Sequence, residues 1–178
     1  MIKPINIIII LSFFASCKNQ SQNRKVKMKS DFNLEQNYAD FQVKMSESDT
    51  LRVWINHSIC TYQGYEKLEI TKKNKIIKVK SEYNESTFEE KQKWKVVYVK
   101  TIPENDTVWD FGKFLKRNSK RLKSKTKKYG TLQIKHKNKK IHFFTNSLSD
   151  LNVFRSEYFK TMIKIYPENK GKIYGSNP

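Results

Sequence analysis

The chain has 178 residues, with 36 Lys or Arg against 17 Asp or Glu and a formal net charge of +19 at pH 7. This length is sufficient for one domain with its own hydrophobic core. Two cysteines exclude a disulfide-rich scaffold, and five glycines leave little material for a glycine-rich nucleotide-binding loop.

The first 17 residues carry the pattern of an export signal. Lys3 supplies a positive start, residues 5–14 are mostly apolar, and the small residues Ala15 and Ser16 lead directly to Cys17. The apolar run is shorter than the roughly 20 residues that a membrane-spanning helix needs. The pattern is typical of a secretory signal peptide.

The segment 11–17, Leu-Ser-Phe-Phe-Ala-Ser-Cys, resembles the lipobox of bacterial lipoproteins, although Phe14 replaces the usual aliphatic residue. The resemblance implies that Cys17 is lipidated, that residues 1–16 are removed, and that the protein is anchored to a membrane of the cell envelope. In a two-membrane host it favours the outer membrane facing the periplasm, because Lys18 is not the Asp that retains lipoproteins in the inner membrane of enterobacteria. An ordinary secretory signal, with Cys17 as a chance thiol, is the alternative.

Composition predicts four segments. Residues 1–16 form the signal peptide, 17–40 the lipidated cysteine with a flexible polar tether, 41–167 a folded domain, and 168–178 a C-terminal tail. If Cys17 carries lipid, Cys60 is the remaining thiol, so the domain must fold without an internal disulfide.

Beyond the tether, apolar residues recur with a period of two. Residues 51–55 alternate between apolar and polar, as a strand with one buried face requires. A hairpin follows, with a predicted two-residue turn at Lys73 and Asn74 that places Leu68 opposite Val79.

Two further β segments are predicted. Residues 94–99 are apolar on both faces apart from one lysine, which indicates a central strand covered on each side. A second hairpin over 132–144, turning at Asn138 and Lys139, puts His136 and His142 on opposite faces, so these two cannot share a metal ion.

Two helices complete the pattern. Thr107 and Asp110 have the spacing of an N-terminal capping box before an amphipathic helix. Apolar residues at three- and four-residue spacing after Ser147 predict a second helix over about 148–166, ended by Pro167. The predicted fold is therefore a single α+β domain in the order β-β-β-β-α-β-β-α, with two helices packed on a mainly antiparallel sheet of about six strands.

Positive charge is concentrated between residues 111 and 149, which contain 13 Lys or Arg and no Asp or Glu. The candidates for contact with an anion, placed on one side of the first helix, are Trp109, Lys113, Lys116, Arg117 and Lys120. Basic residues beside an aromatic ring suit an anionic lipid, an acidic glycan or an acidic protein partner, and nucleic acid is not expected for an exported protein. The alternative is that this face is only the solvated side of a helix in a lysine-rich chain.

Signals for catalysis are weaker. His57 lies three residues from Cys60, and a Cys–His pair can form a nucleophile, although a lone cysteine is more often a small buried residue. The chain contains no Cys-x-x-Cys, His-Glu-x-x-His or Gly-x-Ser-x-Gly motif, so neither a metal nor a cofactor is expected.

The favoured interpretation is a non-catalytic, lipid-anchored binding module. The alternatives are an immunity- or inhibitor-type lipoprotein acting through a loop at 82–91, and a small hydrolase or thiol enzyme around His57 and Cys60.

The lipid anchor is directly testable. We expect Cys17→Ser to abolish metabolic labelling with fatty acid and to remove the protein from the detergent phase, because the thiol that would carry the lipid is gone. The domain should still fold, as judged by circular dichroism. Equal detergent partitioning of the two forms would show that the protein is not anchored through Cys17.

Overall fold

The computed structural model describes residues 30–58, 63–86, 93–123 and 129–175. Within them the chain forms one six-stranded antiparallel sheet and two main helices, so the predicted α+β fold is confirmed. Cys17, Cys60 and residues 87–91 of the predicted loop lie outside the described residues.

The strands are β1 (Thr50–Asn56), β2 (Gln63–Lys73), β3 (Ile76–Ser86), β4 (Lys95–Pro103), β5 (Tyr129–His136) and β6 (Lys139–Thr145). They pair in the order β4-β3-β2-β1-β5-β6. The helices are α1 (Leu34–Asn37), α2 (Phe41–Lys44), α3 (Phe111–Arg117) and α4 (Leu148–Ile165), with 3-10 turns at Ser119–Lys123 and Lys170–Lys172. Within the described residues, none of the helices combines the length and the apolar character needed to cross a bilayer.

The core lies between one face of the sheet and the helices. The alternation predicted for 51–55 is confirmed, since Leu51, Val53 and Ile55 are buried while Arg52 is exposed. Burial of these side chains is the main source of stability, at about 25 cal/mol for each Å² of apolar surface removed from water.

The long helix α4 also agrees with the sequence. The side chain of Ser147 caps it by accepting a hydrogen bond from the backbone N–H of Asp150. Phe154, Tyr158 and Met162 are buried against the sheet, as the spacing predicts. Leu148 is 65% exposed, so the apolar stripe begins one turn later than the pattern indicates.

Both hairpins form, but their predicted registers are wrong by two residues. Ile70, rather than Leu68, lies opposite Val79, and the turn residues are Asn74 and Lys75, both at positive φ. The first turn therefore falls one residue later than predicted, whereas the second falls one residue earlier, at 137–138. A slip of two residues keeps every side chain on its own face, so the hydrophobic pattern alone cannot distinguish the two registers.

The segment predicted as a central strand lies at an edge. Among the described strands β4 has β3 as its single partner, and Val96 and Val99 are 56% and 49% exposed. The prediction that both faces of this strand are covered is therefore wrong. The helices pack on one side of the sheet, and Val96 and Val99 remain accessible on the other side.

The first main helix begins later than predicted, so Trp109 lies before the helix and is no longer a candidate for contact with an anion. No side-chain cap forms at Asp110, and the Asp106 carboxylate instead accepts a hydrogen bond from the Trp109 backbone N–H at 2.7 Å. Because α3 starts at Phe111, a helical projection does not apply to Trp109. Its indole is 1% exposed and stacks on Phe111 at 5.3 Å, so the prediction that Trp109 contacts an anion is wrong.

The predicted domain boundaries at residues 40 and 168 are also wrong. Phe32 and Leu34, which fall in the predicted tether, are buried in the core, and so is Tyr174, which falls in the predicted tail. These apolar residues are isolated in sequence and have no periodic neighbours, so local pattern does not reveal that they are buried. The folded part therefore includes residues near 32 and near 174, beyond both predicted boundaries.

Asp49 ties the N-terminal segment to the sheet. Its buried carboxylate accepts hydrogen bonds from the Ser30 hydroxyl, from the backbone N–H and hydroxyl of Ser46 at 2.9 and 3.0 Å, and from His136 Nε2 at 2.9 Å. Burial alone would raise the pKa of Asp49, but these hydrogen bonds outweigh it and lower the pKa to about 2.

This lowered pKa predicts a contribution to stability that depends on pH. We expect Asp49→Asn to lower the free energy of unfolding by about 2 kcal/mol at neutral pH. The contribution is fully present above the unfolded-state pKa of about 4 and is lost as the pH falls through the folded-state pKa. The difference between the two proteins, measured by urea unfolding at each pH, should therefore shrink between about pH 4 and pH 2. A difference that does not vary over this range would contradict the assignment.

Candidate anion-binding cleft

A cleft of about 470 Å³ opens at one end of the sheet, on the face that carries the helices. It lies between the ends of β3 and β4, the middle of α4 and the C-terminal turn. The residues that line it are His57, Tyr83, Glu85, Lys93, Lys95, Val97, Arg155, Phe159, Lys170, Gly171, Lys172, Ile173 and Gly175. We call this the cationic cleft.

Beneath the cationic cleft lies the fully buried carboxylate of Glu66, on the core face of β2. Oε1 accepts hydrogen bonds from the hydroxyls of Ser81 at 2.7 Å and Tyr174 at 2.6 Å. Oε2 accepts from the Tyr158 hydroxyl at 2.9 Å and lies 3.1 Å from His57 Nε2. Two carboxylate oxygens offer about four acceptor positions, and these contacts use all of them.

This arrangement determines the proton position on His57. An ionised carboxylate only accepts hydrogen bonds, so His57 Nε2 must carry the hydrogen that Glu66 accepts. The opposite nitrogen, Nδ1, is buried and has no hydrogen-bond partner within the described part of the chain. His57 therefore lines the cleft with one ring nitrogen that is not engaged by these residues, and this nitrogen can accept a hydrogen bond when neutral or donate one when protonated.

Three tyrosines complete the buried network. Burial and the negative charge of Glu66 raise the pKa values of Tyr98, Tyr158 and Tyr174 well above their usual range. These hydroxyls therefore remain protonated near neutral pH. Because Tyr174 donates to Glu66, its oxygen accepts from the Tyr98 hydroxyl at 3.0 Å. The network holds the Glu66 charge below the floor of the cleft and keeps it away from solvent.

The walls of the cleft carry the opposite sign. Five side chains in its lining are cationic: Lys93, Lys95, Arg155, Lys170 and Lys172. Among the described residues that line it, Glu85 is the one acid. Concave walls of low dielectric strengthen the field of such charges, so the geometry favours an anion.

Two local structures position these cations. Arg155 Nη2 donates to the His57 carbonyl at 2.8 Å, which joins α4 to the end of β1. Asn169 organises the C-terminal turn, because its side chain donates to the Gly175 carbonyl at 2.8 Å and accepts from the Tyr174 N–H at 3.1 Å. Gly171 occupies the left-handed region at φ 77°, where a residue with a Cβ is strained.

The basic residues that the sequence predicts as anion contacts do not belong to the cationic cleft. The four basic candidates on α3 and the turn that follows it, Lys113, Lys116, Arg117 and Lys120, are exposed and do not line the cationic cleft. Arg117 approaches Asp110 at 3.9 Å. Of the predicted loop, residues 82–86 belong to β3.

The histidine predictions have different outcomes. His57 lines the cleft, but its predicted partner Cys60 lies outside the described residues. His136 contacts Asp49 on the core face, and His142 lies on the other face, so their predicted separation is confirmed. Across the described residues, no three His, Cys, Asp or Glu side chains are grouped as a metal site requires.

Sequence reasoning missed Glu66, the centre of this site. A signal was present, because Glu66 has the same strand parity as the buried Leu68 and Ile70 and therefore had to face the core. Its donors were not recognisable, since Tyr158 reads as an ordinary apolar position of α4 and Tyr174 lies in the presumed tail.

The buried network predicts a large cost for a small chemical change. We expect Glu66→Gln to lower the free energy of unfolding by at least about 2 kcal/mol, because the amide NH₂ would face groups that are themselves donors. Glu69→Gln is the matched control on the same strand. Glu69 is exposed and pairs with Arg52 at 3.5 Å, so its loss should cost less than about 1 kcal/mol in the same urea titration. Equal losses would show that the Glu66 network does not hold the fold together.

Comparison with known proteins does not identify a relative. No family model, no curated protein and no solved structure matches this chain. What the domain does must therefore follow from the chemistry of its own residues.

Proposed function

We propose that the chain is a lipid-anchored protein of the cell envelope whose domain binds an anionic group, a phosphate or a carboxylate, in the cationic cleft. The observation that carries the proposal is the lining of this cleft, whose described residues include five cationic side chains and one acidic side chain. His57 Nδ1 lies at the floor and has no hydrogen-bond partner among the described residues. In this proposal the protein binds its ligand and does not transform it.

The cleft is a better site than the exposed face of α3. An anion on the exposed helix face would be surrounded by water, in which each charge pair contributes little. An anion in the cleft would lie between β4, α4 and the C-terminal turn, where several cations act on it together. Exposure of the α3 lysines is equally expected for a lysine-rich surface without a ligand.

His57 gives the proposed site a directional contact. An oxyanion close to Nδ1 favours the protonated imidazole, which donates from Nδ1 to the anion and from Nε2 to Glu66. Glu66 would then compensate the added positive charge from below. The stacking of His57 on Phe159, with ring centres 5.6 Å apart, holds the ring in the orientation that this contact needs.

The proposed anchor would keep the cleft close to a membrane. Between Cys17 and the first described residue, Ser30, lie residues 18–29, whose polar composition predicts a flexible tether. A flexible coil of this length has an r.m.s. span of roughly 20 Å. The anionic group would then belong to a lipid headgroup, or to a glycan or protein held near the same membrane.

A second candidate function is hydrolysis with His57 as general base. The favouring observation is the carboxylate–imidazole pair, in which Glu66 orients His57 so that Nδ1 can take a proton from water or from a nucleophile. Turnover of a phosphate or carboxylate ester that is lost in His57→Gln would favour this candidate over simple binding.

The binding proposal predicts a difference between two variants of equal charge. Inorganic pyrophosphate and vesicles containing phosphatidylglycerol are the probes, measured with the full-length protein by calorimetry and by flotation. We expect Lys95→Glu with Lys170→Glu to weaken binding at least about tenfold, since each reversal removes roughly 1 kcal/mol of attraction. Lys113→Glu with Lys116→Glu makes the same change in net charge outside the cleft and should have little effect. Binding of the wild type should weaken steeply between low and physiological salt.

Three outcomes would contradict the cleft as the site. Equal sensitivity to both pairs of reversals would mean that net charge alone attracts the probes. A larger effect of the α3 pair would assign the contact to that helix. Absence of binding to either probe at low salt would mean that these lysines are only a solvated surface.

The two probes also distinguish the source of the anion. Binding of pyrophosphate without the vesicles would indicate a free anion, and binding of the vesicles alone would indicate a lipid headgroup.

A further inference from the structure

A second cleft of about 540 Å³ lies on the opposite face of the sheet, which none of the described helices covers. We call it the aromatic cleft. Six residues that line it carry the argument: Trp54, Asn56, Tyr65, Trp94, Gln133 and His142.

The strand register places five of these side chains on one face, and Trp94, which precedes β4, joins them through its contact with Lys67 on β2. Trp54 on β1 lies opposite Gln133 on β5, which in turn lies opposite His142 on β6. Asn56 lies opposite Tyr65 on β2. All of these positions alternate with core residues such as Ile55, so their side chains point away from the core.

The aromatic content of this face is unusual for the solvent side of an antiparallel sheet, which is normally polar. Trp94 is 38% exposed, and the Lys67 ammonium lies 3.5 Å from the centre of its ring. The aromatic cleft therefore offers flat apolar surfaces to a ligand.

The polar groups of the aromatic cleft are planar and carry no net charge. Asn56 and Gln133 supply amides that can donate and accept hydrogen bonds, and the Asn56 Oδ1 already accepts one from the Ser58 N–H at 2.9 Å. Burial and the charge of Lys140 lower the pKa of His142, which favours the neutral imidazole with one donor and one acceptor. Glu66 contributes to the lining, but its carboxylate is bound by His57 and other donors on the core face.

We propose that the aromatic cleft binds a pyranose unit of a glycan. A pyranose ring has an apolar face of C–H groups that packs on an aromatic ring, and a rim of hydroxyls that pair with amide and imidazole groups. An aliphatic peptide would leave the amides unpaired, at a cost for each buried polar group. A polyanion would need cationic partners, and none of the described residues that line the cleft is a lysine or an arginine. The proposal is independent of the cationic cleft, which lies on the other face of the sheet.

The test uses the full-length protein in a zwitterionic detergent that contains no sugar. The probes are the β-1,4-linked tetrasaccharides of glucose and of N-acetylglucosamine, with adenosine as a planar ligand that is not a sugar. Binding is followed by calorimetry and by tryptophan fluorescence. The buried Trp109 is not expected to respond, so a change in emission reports on Trp54 and Trp94.

We expect saturable binding of at least one tetrasaccharide and weaker or no binding of adenosine. Trp94→Ala should weaken binding about tenfold or more, the usual order for loss of an aromatic stacking platform. Trp94→Phe should retain most of the affinity because it keeps a ring. Val96→Ala is the matched control, since Val96 is exposed two residues further along the chain, on β4, and does not line the cleft.

Gln133→Ala provides a second variant in case Trp94→Ala alters the fold, which thermal unfolding would reveal. It should weaken sugar binding and leave the unfolding midpoint unchanged. The proposal is overturned if neither tetrasaccharide binds at concentrations up to about 10 mM. It is also overturned if adenosine binds more tightly than both sugars, or if neither Trp94→Ala nor Gln133→Ala weakens binding more than Val96→Ala.

Discussion

The buried carboxylate of Glu66 is the constraint on which the rest of the structure depends. A charge placed in the core is strongly destabilising unless hydrogen bonds replace its water. Its donors come from four separate parts of the chain: the end of β1, strand β3, helix α4 and the C-terminal turn. Satisfying one side chain therefore fixes how α4 and the C-terminus pack on the sheet.

The two clefts lie on opposite faces of the sheet, and the Glu66 network lies on the face that carries the helices. On the helix side it holds His57 at the floor of a cleft whose walls are cationic, with the Glu66 charge just beneath. On the other side the neighbouring positions of β1 carry Trp54 and Asn56, which face an uncharged aromatic cleft. One pair of strands thus presents two surfaces of different chemistry, one cationic and one aromatic.

Much of the secondary structure follows from the sequence. Three- and four-residue spacing after the Ser147 cap predicted α4 to within a residue, and period-two alternation predicted the buried face of β1. Both asparagine-containing turns were located to within one residue. These features are local, since a helix cap or an alternating face is determined by residues that are near each other in the chain.

The candidate site is much less predictable. Strand parity places Glu66 on the core face, but the sequence pairs His57 with Cys60 and not with Glu66. The sequence by itself determined the buried faces of β1 and α4, where the long helix begins and that the chain is strongly basic. Only the tertiary structure decided the hairpin registers, the edge position of β4, the burial of Trp109 and Tyr174, and the meeting of Glu66 with His57. The physical reason is that the periodicity of apolar residues shows only which side chains are buried. Which residue each buried side chain contacts depends on how segments that are distant in the sequence pack together in the core.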